Sequence, residues 1–143
     1  MQVIPIPCFG GLYGITPNGQ VHSEPRQLSN GHRWKGGWLK PKVGTGGYLW
    51  VSLYQRGRCK LCSIHRLVLI AFVGPCPDGM EARHKNGVRS DNKLENLCWS
   101  THAENMGDKT KHGTSGIGER NSRHRLTETQ VRWIRYLFGA GVR

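Results

Sequence analysis

The sequence predicts an α+β fold: a small antiparallel β-sheet module, then a strand–loop–strand–helix unit, then a C-terminal helix. Three observations lead there. Short runs of β-forming residues alternate with Gly-containing turns over the first half of the chain. One compact apolar run, RLVLIAFVG at 66–74, follows them. Further on, Thr101 with Glu104 and Thr127 with Gln130 have the spacing of capping boxes that start helices.

Taken in order, Asn18-Gly19 lies between LYGIT (12–16) and QVHS (20–23), which is a strong hairpin signal. Residues 27–37 are polar and Gly-rich and read as a loop. WLKPKV (38–43), GYLWVSLYQ (47–55) and CKLCSIH (59–65) read as three strands, separated by turns at 44–47 and Arg56-Gly57. One antiparallel sheet is therefore expected over 10–65. The apolar run at 66–74 reads as a short buried helix closed by Gly74-Pro75. A turn at 75–82 leads into a strand ending near His84. The loop 85–93 and a second strand from LENLCWS (94–100) come next, and Thr101 opens a helix. Residues 113–125 read as a flexible basic linker, and the last helix carries Val131, Ile134, Leu137 and Phe138 on one face. The expected boundaries are 1–62, 63–113 and 114–143.

Composition narrows the function. The 143 residues suffice for one domain or two very small linked units, and 20 Gly with 36% apolar residues favour thin local cores. Lys and Arg outnumber Asp and Glu by 21 to 9, giving a net charge of +12. Such a surface attracts polyanions, and basic residues occur in every segment, so double-stranded DNA is the expected partner. No stretch approaches the ~20 apolar residues of a membrane span. The N-terminus MQVIPIPCFGG has neither a basic leader nor a continuous apolar run. Five Cys without a tight framework suit a reducing interior, so a cytoplasmic location is expected; the chain is also expected to be a monomer.

The chemistry concentrates in RHKNGVRSDNKLENLCWSTHAENMGD, residues 83–108, which hold two His and four Asn among few apolar side chains. His84 ends one strand, Asn96 precedes the next, and Asn105 falls in the first turns of the capped helix. His84 and Asn105 are expected to face each other across a shallow basic cleft. An imidazole with a near-neutral pKa can take a proton from an attacking water. A hard divalent cation on oxygen ligands can neutralise the charge that develops on a phosphodiester.

These residues resemble the HNH, or ββα-metal, endonucleases of the phage and intron-encoded homing type. His84, Asn96 and Asn105 carry the likeness. Asp91-Asn92, Leu94-Glu95-Asn96-Leu97, Trp99, Glu104-Asn105 and Asp108-Lys109 support it. Ile64 to Val68 with Ala71-Phe72 resembles the segment leading into that motif. The sheet at 10–60 is similar to a DNA-binding module placed ahead of it, and 116–138 to the start of a helical DNA-binding tail. The resemblance implies His84 as general base, Asn96 as a loop-fixing residue and Asn105 as ligand to one Mg²⁺ or Mn²⁺ per active site.

One departure stands out. Homing members carry an acidic metal ligand immediately before the catalytic His, and here that position is Arg83. Asp108, one helical turn from Asn105, is the expected substitute ligand; metal held mainly by substrate phosphate and water, or weak catalysis, are the other readings. Arg83 could itself pair with the scissile phosphate. Phosphate contacts are expected from Lys40, Lys42, Arg56, Arg58, Lys60, Arg66, Arg83, Lys85, Arg89, Arg123 and Arg125. Cys59-x-x-Cys62 lacks a second closely spaced pair, and its spacing turns the two thiols to opposite faces of a strand, which speaks against structural zinc. His65 is expected to pack, His102 to be exposed, and Leu97 and Trp99 to be core. The resulting expectation is a divalent-metal-dependent DNA endonuclease, nicking favoured over double-strand cutting. The alternative is a DNA-binding protein with a decayed HNH site.

Overall fold

The Asn18-Gly19 turn closes a hairpin between strands β2 (Tyr13–Ile15) and β3 (Val21–Ser23), with Thr16 and Gln20 joined by a backbone hydrogen bond of 3.0 Å. β1 (Ile4–Pro5) pairs with β2 on the outside. The structure is a computed structural model, and it describes residues 2–28, 30–111, 113 and 125–139.

The segment 27–37, expected as a loop, instead contributes three two-residue strands. β4 (Arg26–Gln27) pairs with β5 (Arg33–Trp34), and β6 (Gly37–Trp38) extends the first sheet beside β3. WLKPKV does not form one strand. Trp38 pairs with His22 in the first sheet, whereas β7 (Lys42–Val43) pairs with β8 (Leu49–Gln55) in another. Pro41, with no N–H to give a ladder, lies at the crossing point. β8 and β9 (Arg58–Ser63) form a regular hairpin around Arg56-Gly57. The expected single sheet is thus three small ones, because strands this short cannot span a common ladder.

Tyr13 ties the pieces together. Its hydroxyl donates to the Tyr54 carbonyl at 3.1 Å and accepts from the Tyr54 N–H at 2.9 Å, fixing the first sheet to β8. Behind that junction lies α1 (Ile64–Phe72), whose Leu67, Val68 and Leu69 are buried beside Val51, Leu53 and Ile15. Burial of each such side chain stabilises by about 1.5–3 kcal/mol. The core thus draws on residues from Ile6 to Leu97.

After α1 come β10 (Met80–His84) and β11 (Leu97–Thr101), an antiparallel hairpin in which His84 opposes Leu97. The Thr101 capping box forms in both directions: Thr101 N–H donates to Glu104 Oε2 at 3.0 Å, and Glu104 N–H to Thr101 Oγ1 at 3.3 Å. It opens α2 (His102–Lys111). The chain divides into two compact units, Met1–Asp108 and Lys109–Arg143. In the second unit, α3 (Glu128–Gly139) starts at its own capping box, Thr127 N–H donating to Gln130 Oε1 at 2.9 Å. Arg123 and residues 114–124 of the expected linker lie outside the described residues. No described helix is long and apolar enough to cross a membrane.

The β2–β3 turn also supports the loop before β11. Leu94 N–H donates to the Pro17 carbonyl at 2.8 Å, and a methyl on Gly19 would lie 2.9 Å from Asn92 Cβ. Gly19 has φ +78°, where a side chain is strained. Gly19→Ala should cost about 1–3 kcal/mol, read as a lower midpoint in urea denaturation, while Gly57→Ala at the open β8–β9 turn should cost less.

Candidate active site

Side chains on β10 and β11 alternate between two faces, and cross-strand partners share one. Ala82 with Trp99, and His84 with Leu97, face α1 and the core. Glu81 with Ser100, and Arg83 with Cys98, face the other way. α2 covers that second face. Both Arg83 Nε and Nη2 reach Asp108 Oδ2, and His102 Nδ1 pairs with Glu81 Oε1 at 2.6 Å. Asn105 is half-buried midway between His102 and Asp108 at three-residue spacing, on the same helix face. His84 thus lies on the α1 side of the hairpin, at its strand end, and Arg83 on the α2 side.

The His84 ring is 8% exposed and is held from several sides. Its Nε2 lies 3.1 Å from Asn92 Oδ1, and Asn92 is buried. An amide oxygen only accepts, so Nε2 carries the proton and the lone pair is on Nδ1. His65 packs against the ring at a centroid distance of 5.1 Å and Tyr48 at 5.9 Å. Tyr48 in turn stacks under the Arg89 guanidinium, 5.1 Å away, which Gly46 O fixes through a 2.8 Å hydrogen bond. Burial pushes the His84 pKa below the usual imidazole range. The Asn92 hydrogen bond and Asp91 oppose that shift, and Arg89 adds to it. His65 is pushed down to about 4, mainly by burial, then by the His84 and Arg66 charges.

Asn96 braces the loop, as the resemblance implies. Its Nδ2 donates to Asp91 O at 2.8 Å and to Asn86 Oδ1 at 3.0 Å, while its Oδ1 accepts from the Asn86 N–H at 3.0 Å. Its side chain is buried and thus placed to hold the loop rather than to react.

The described residues do not fit a preformed divalent-cation centre. Asp108, expected as the substitute ligand, gives Oδ2 to Arg83, and Glu81 is paired with His102. Asn105 offers a neutral amide, and no group of three His, Cys, Asp or Glu that could hold a metal occurs among the described residues. Cys59 is exposed and Cys62 buried, three residues apart in one strand.

Of the expected phosphate contacts, Lys40, Lys42, Arg56, Arg58, Lys60, Arg66, Lys85, Arg89 and Arg125 are exposed, whereas Arg83 is turned inward to Asp108. Arg89 is the one that the ring stack links to His84. Sequence reading missed the roles of Asn92 and Tyr48, and took His65 as packing without its target. Only Asn92 left a signal, in the Asp91-Asn92 pair of the motif.

With this geometry in hand, residues 62–107 match the family model of the HNH endonucleases. The DNA endonuclease I-HmuI of Bacillus phage SP01 is 28% identical over 111 residues, 78% of this chain and 59% of that protein. A solved structure of I-HmuI, described as DNA binding and cleavage by the HNH homing endonuclease, matches at 25% identity with a TM-score of 0.64, covering 97% of this chain and 68% of that one. Residues 62–107 are thus similar to the HNH endonucleases. The HNH endonuclease L245 of Acanthamoeba polyphaga mimivirus is 32% identical over 94 residues, 66% of this chain and 26% of that protein. The chain thus spans little more than half of one of these curated relatives and a quarter of the other. The α+β architecture, small sheets followed by the HNH hairpin and helices, is the one that the I-HmuI structure shares.

Buried neutral imidazoles make stability depend on pH. His65 titrates near 6.5 when unfolded and about 4 when folded, so its contribution is complete above about pH 6.5 and is lost as pH falls toward 4. Urea denaturation should show up to about 3 kcal/mol lost across that window, and His65→Phe should flatten the slope there.

Proposed function

We propose that this protein hydrolyses phosphodiester bonds of double-stranded DNA, with His84 as general base. The observation that carries the reading is the His84 ring itself: buried, and clamped by Asn92, His65 and Tyr48 in a chain of net charge +12. With Nε2 committed to Asn92, Nδ1 accepts the proton of the attacking water. The lowered pKa keeps the ring unprotonated at neutral pH beside a surface that attracts phosphate.

The basic side chains of 1–62 serve as the DNA-binding module, 63–113 as the chemical unit and 114–143 as a basic linker and tail. Exposed Lys40, Lys42, Arg56, Arg58 and Lys60 track phosphates without reading sequence. Arg89, stacked on Tyr48, binds the phosphate nearest His84. A monomer with one such site cuts one strand per binding event, which favours nicking of the homing type.

HNH endonucleases generally use divalent metal ions. The expectation of Mg²⁺ or Mn²⁺ on Asn105 and Asp108 meets the Arg83–Asp108 pair, and no step here is routed through a metal. Arg83 places a fixed cation on the α2 face instead. The second reading, a DNA-binding protein with a decayed site, draws its support from the same pair.

Three measurements test this reading. In a supercoiled-plasmid assay, wild type should nick, and His84→Ala should lose about 10²–10⁴-fold in rate while still shifting plasmid on a gel. A wild type that shifts plasmid without nicking it in Mg²⁺, Mn²⁺ or EDTA would establish the decayed-site reading. The rate should fall with decreasing pH only below the ordinary imidazole range of about 6.5, since the base must be neutral. Calorimetric titration with MnCl₂ should detect no stoichiometric site in wild type and a new one in Arg83→Ala, where Asp108 is released; stoichiometric binding to wild type refutes the plugged face.

A further inference from the structure

A cleft of about 250 Å³ opens beside the loop that carries Asn92. Trp38, Leu49 and Ile64 are among its apolar lining residues, and Asn18, Gln20 and Asn92, which carry carboxamide side chains, line it as well. No residue lining it carries a formal charge, although the chain has a net charge of +12. That excludes a phosphate, which would call for Arg or Lys, and a cation, which would call for carboxylates. A neutral ligand with both donors and acceptors on its edge and a flat apolar face is what such walls match. Trp38 is 55% exposed, and its ring meets His22 edge-on at 5.0 Å, leaving indole surface free at the rim.

Asn92 supplies the second observation. Its Oδ1 is bonded to His84, but its Nδ2 is buried without a hydrogen-bond partner among the described residues. An unsatisfied buried donor is costly, and this one belongs to a residue that lines the cleft. Gly19 keeps this wall close, since a methyl there would press on both Asn92 and Ile64.

We propose that the cleft receives one unstacked nucleobase of the DNA substrate, stacked on Trp38 and hydrogen-bonded to Asn92, Gln20 or Asn18. The cleft is smaller than the ~300–1,000 Å³ of drug-sized pockets and suits a single ring system. Because one amide serves both sites, base seating fixes the Asn92 group that orients His84. The inference deepens the DNA-cutting reading and rests on it.

Two arms test it on the full chain. In NMR titrations with the four deoxynucleosides, the side-chain amide signals of Asn92 and Gln20 and the Trp38 indole N–H should move for at least one of them. In binding assays, a duplex with a single-base bulge should bind about tenfold tighter than its fully paired counterpart, because an unpaired base is cheaper to extrude and gains the stacking. Trp38→Ala should abolish that preference without weakening binding of the paired duplex, and Trp38→Phe should keep it. Equal binding of the two duplexes by wild type, or unmoved Asn92, Gln20 and Trp38 signals, overturns the proposal. If neither duplex binds, the DNA-cutting reading fails, and the nucleoside titration alone decides the cleft.

Discussion

The hydrogen bond from His84 Nε2 to Asn92 Oδ1 is the contact on which the candidate site depends, because it selects the tautomer of a ring whose pKa burial lowers. Much of the surrounding fold can be understood as holding Asn92 where it can make that bond. The Asn18-Gly19 turn packs its backbone against Asn92, Pro17 O anchors Leu94, and Asn96 ties Asp91 to Asn86 across the loop. Each support is short-range in space but comes from a different part of the chain. That is why the small sheets and the HNH hairpin share one core.

A second constraint is the two-residue period of β10. Consecutive residues Arg83 and His84 must point to opposite faces, so the imidazole goes to the α1 side and the guanidinium to the α2 side. Breaking an ion pair as buried as Arg83–Asp108 leaves a charge without a partner, which is strongly destabilising. The pair therefore locks α2 to the hairpin and, at the same time, removes the carboxylate that a divalent cation would need. Fold stability and metal affinity compete for the same oxygen.

How much of this was legible in sequence follows from the range of each interaction. The capping boxes at Thr101 and Thr127 were readable because both partners are three residues apart, and the hairpin signal at Asn18-Gly19 because two adjacent residues set the turn. The role of Asn96 came through the motif. The His84–Asn92 bond spans eight residues of irregular loop, and no periodicity reports it. Tyr48 and His65 reach His84 only after three separate elements have packed, so their part in the site was invisible. The Arg83–Asp108 contact joins residues 25 positions apart on different elements, a separation that no local spacing reports.

The central claim concerns the protonation of one ring, and ¹⁵N NMR of the His84 imidazole in the folded, DNA-free protein reads it directly. The account predicts a proton on Nε2, a bare Nδ1, and titration below the usual histidine range. A proton resident on Nδ1, or a ring already cationic at pH 7, would contradict it.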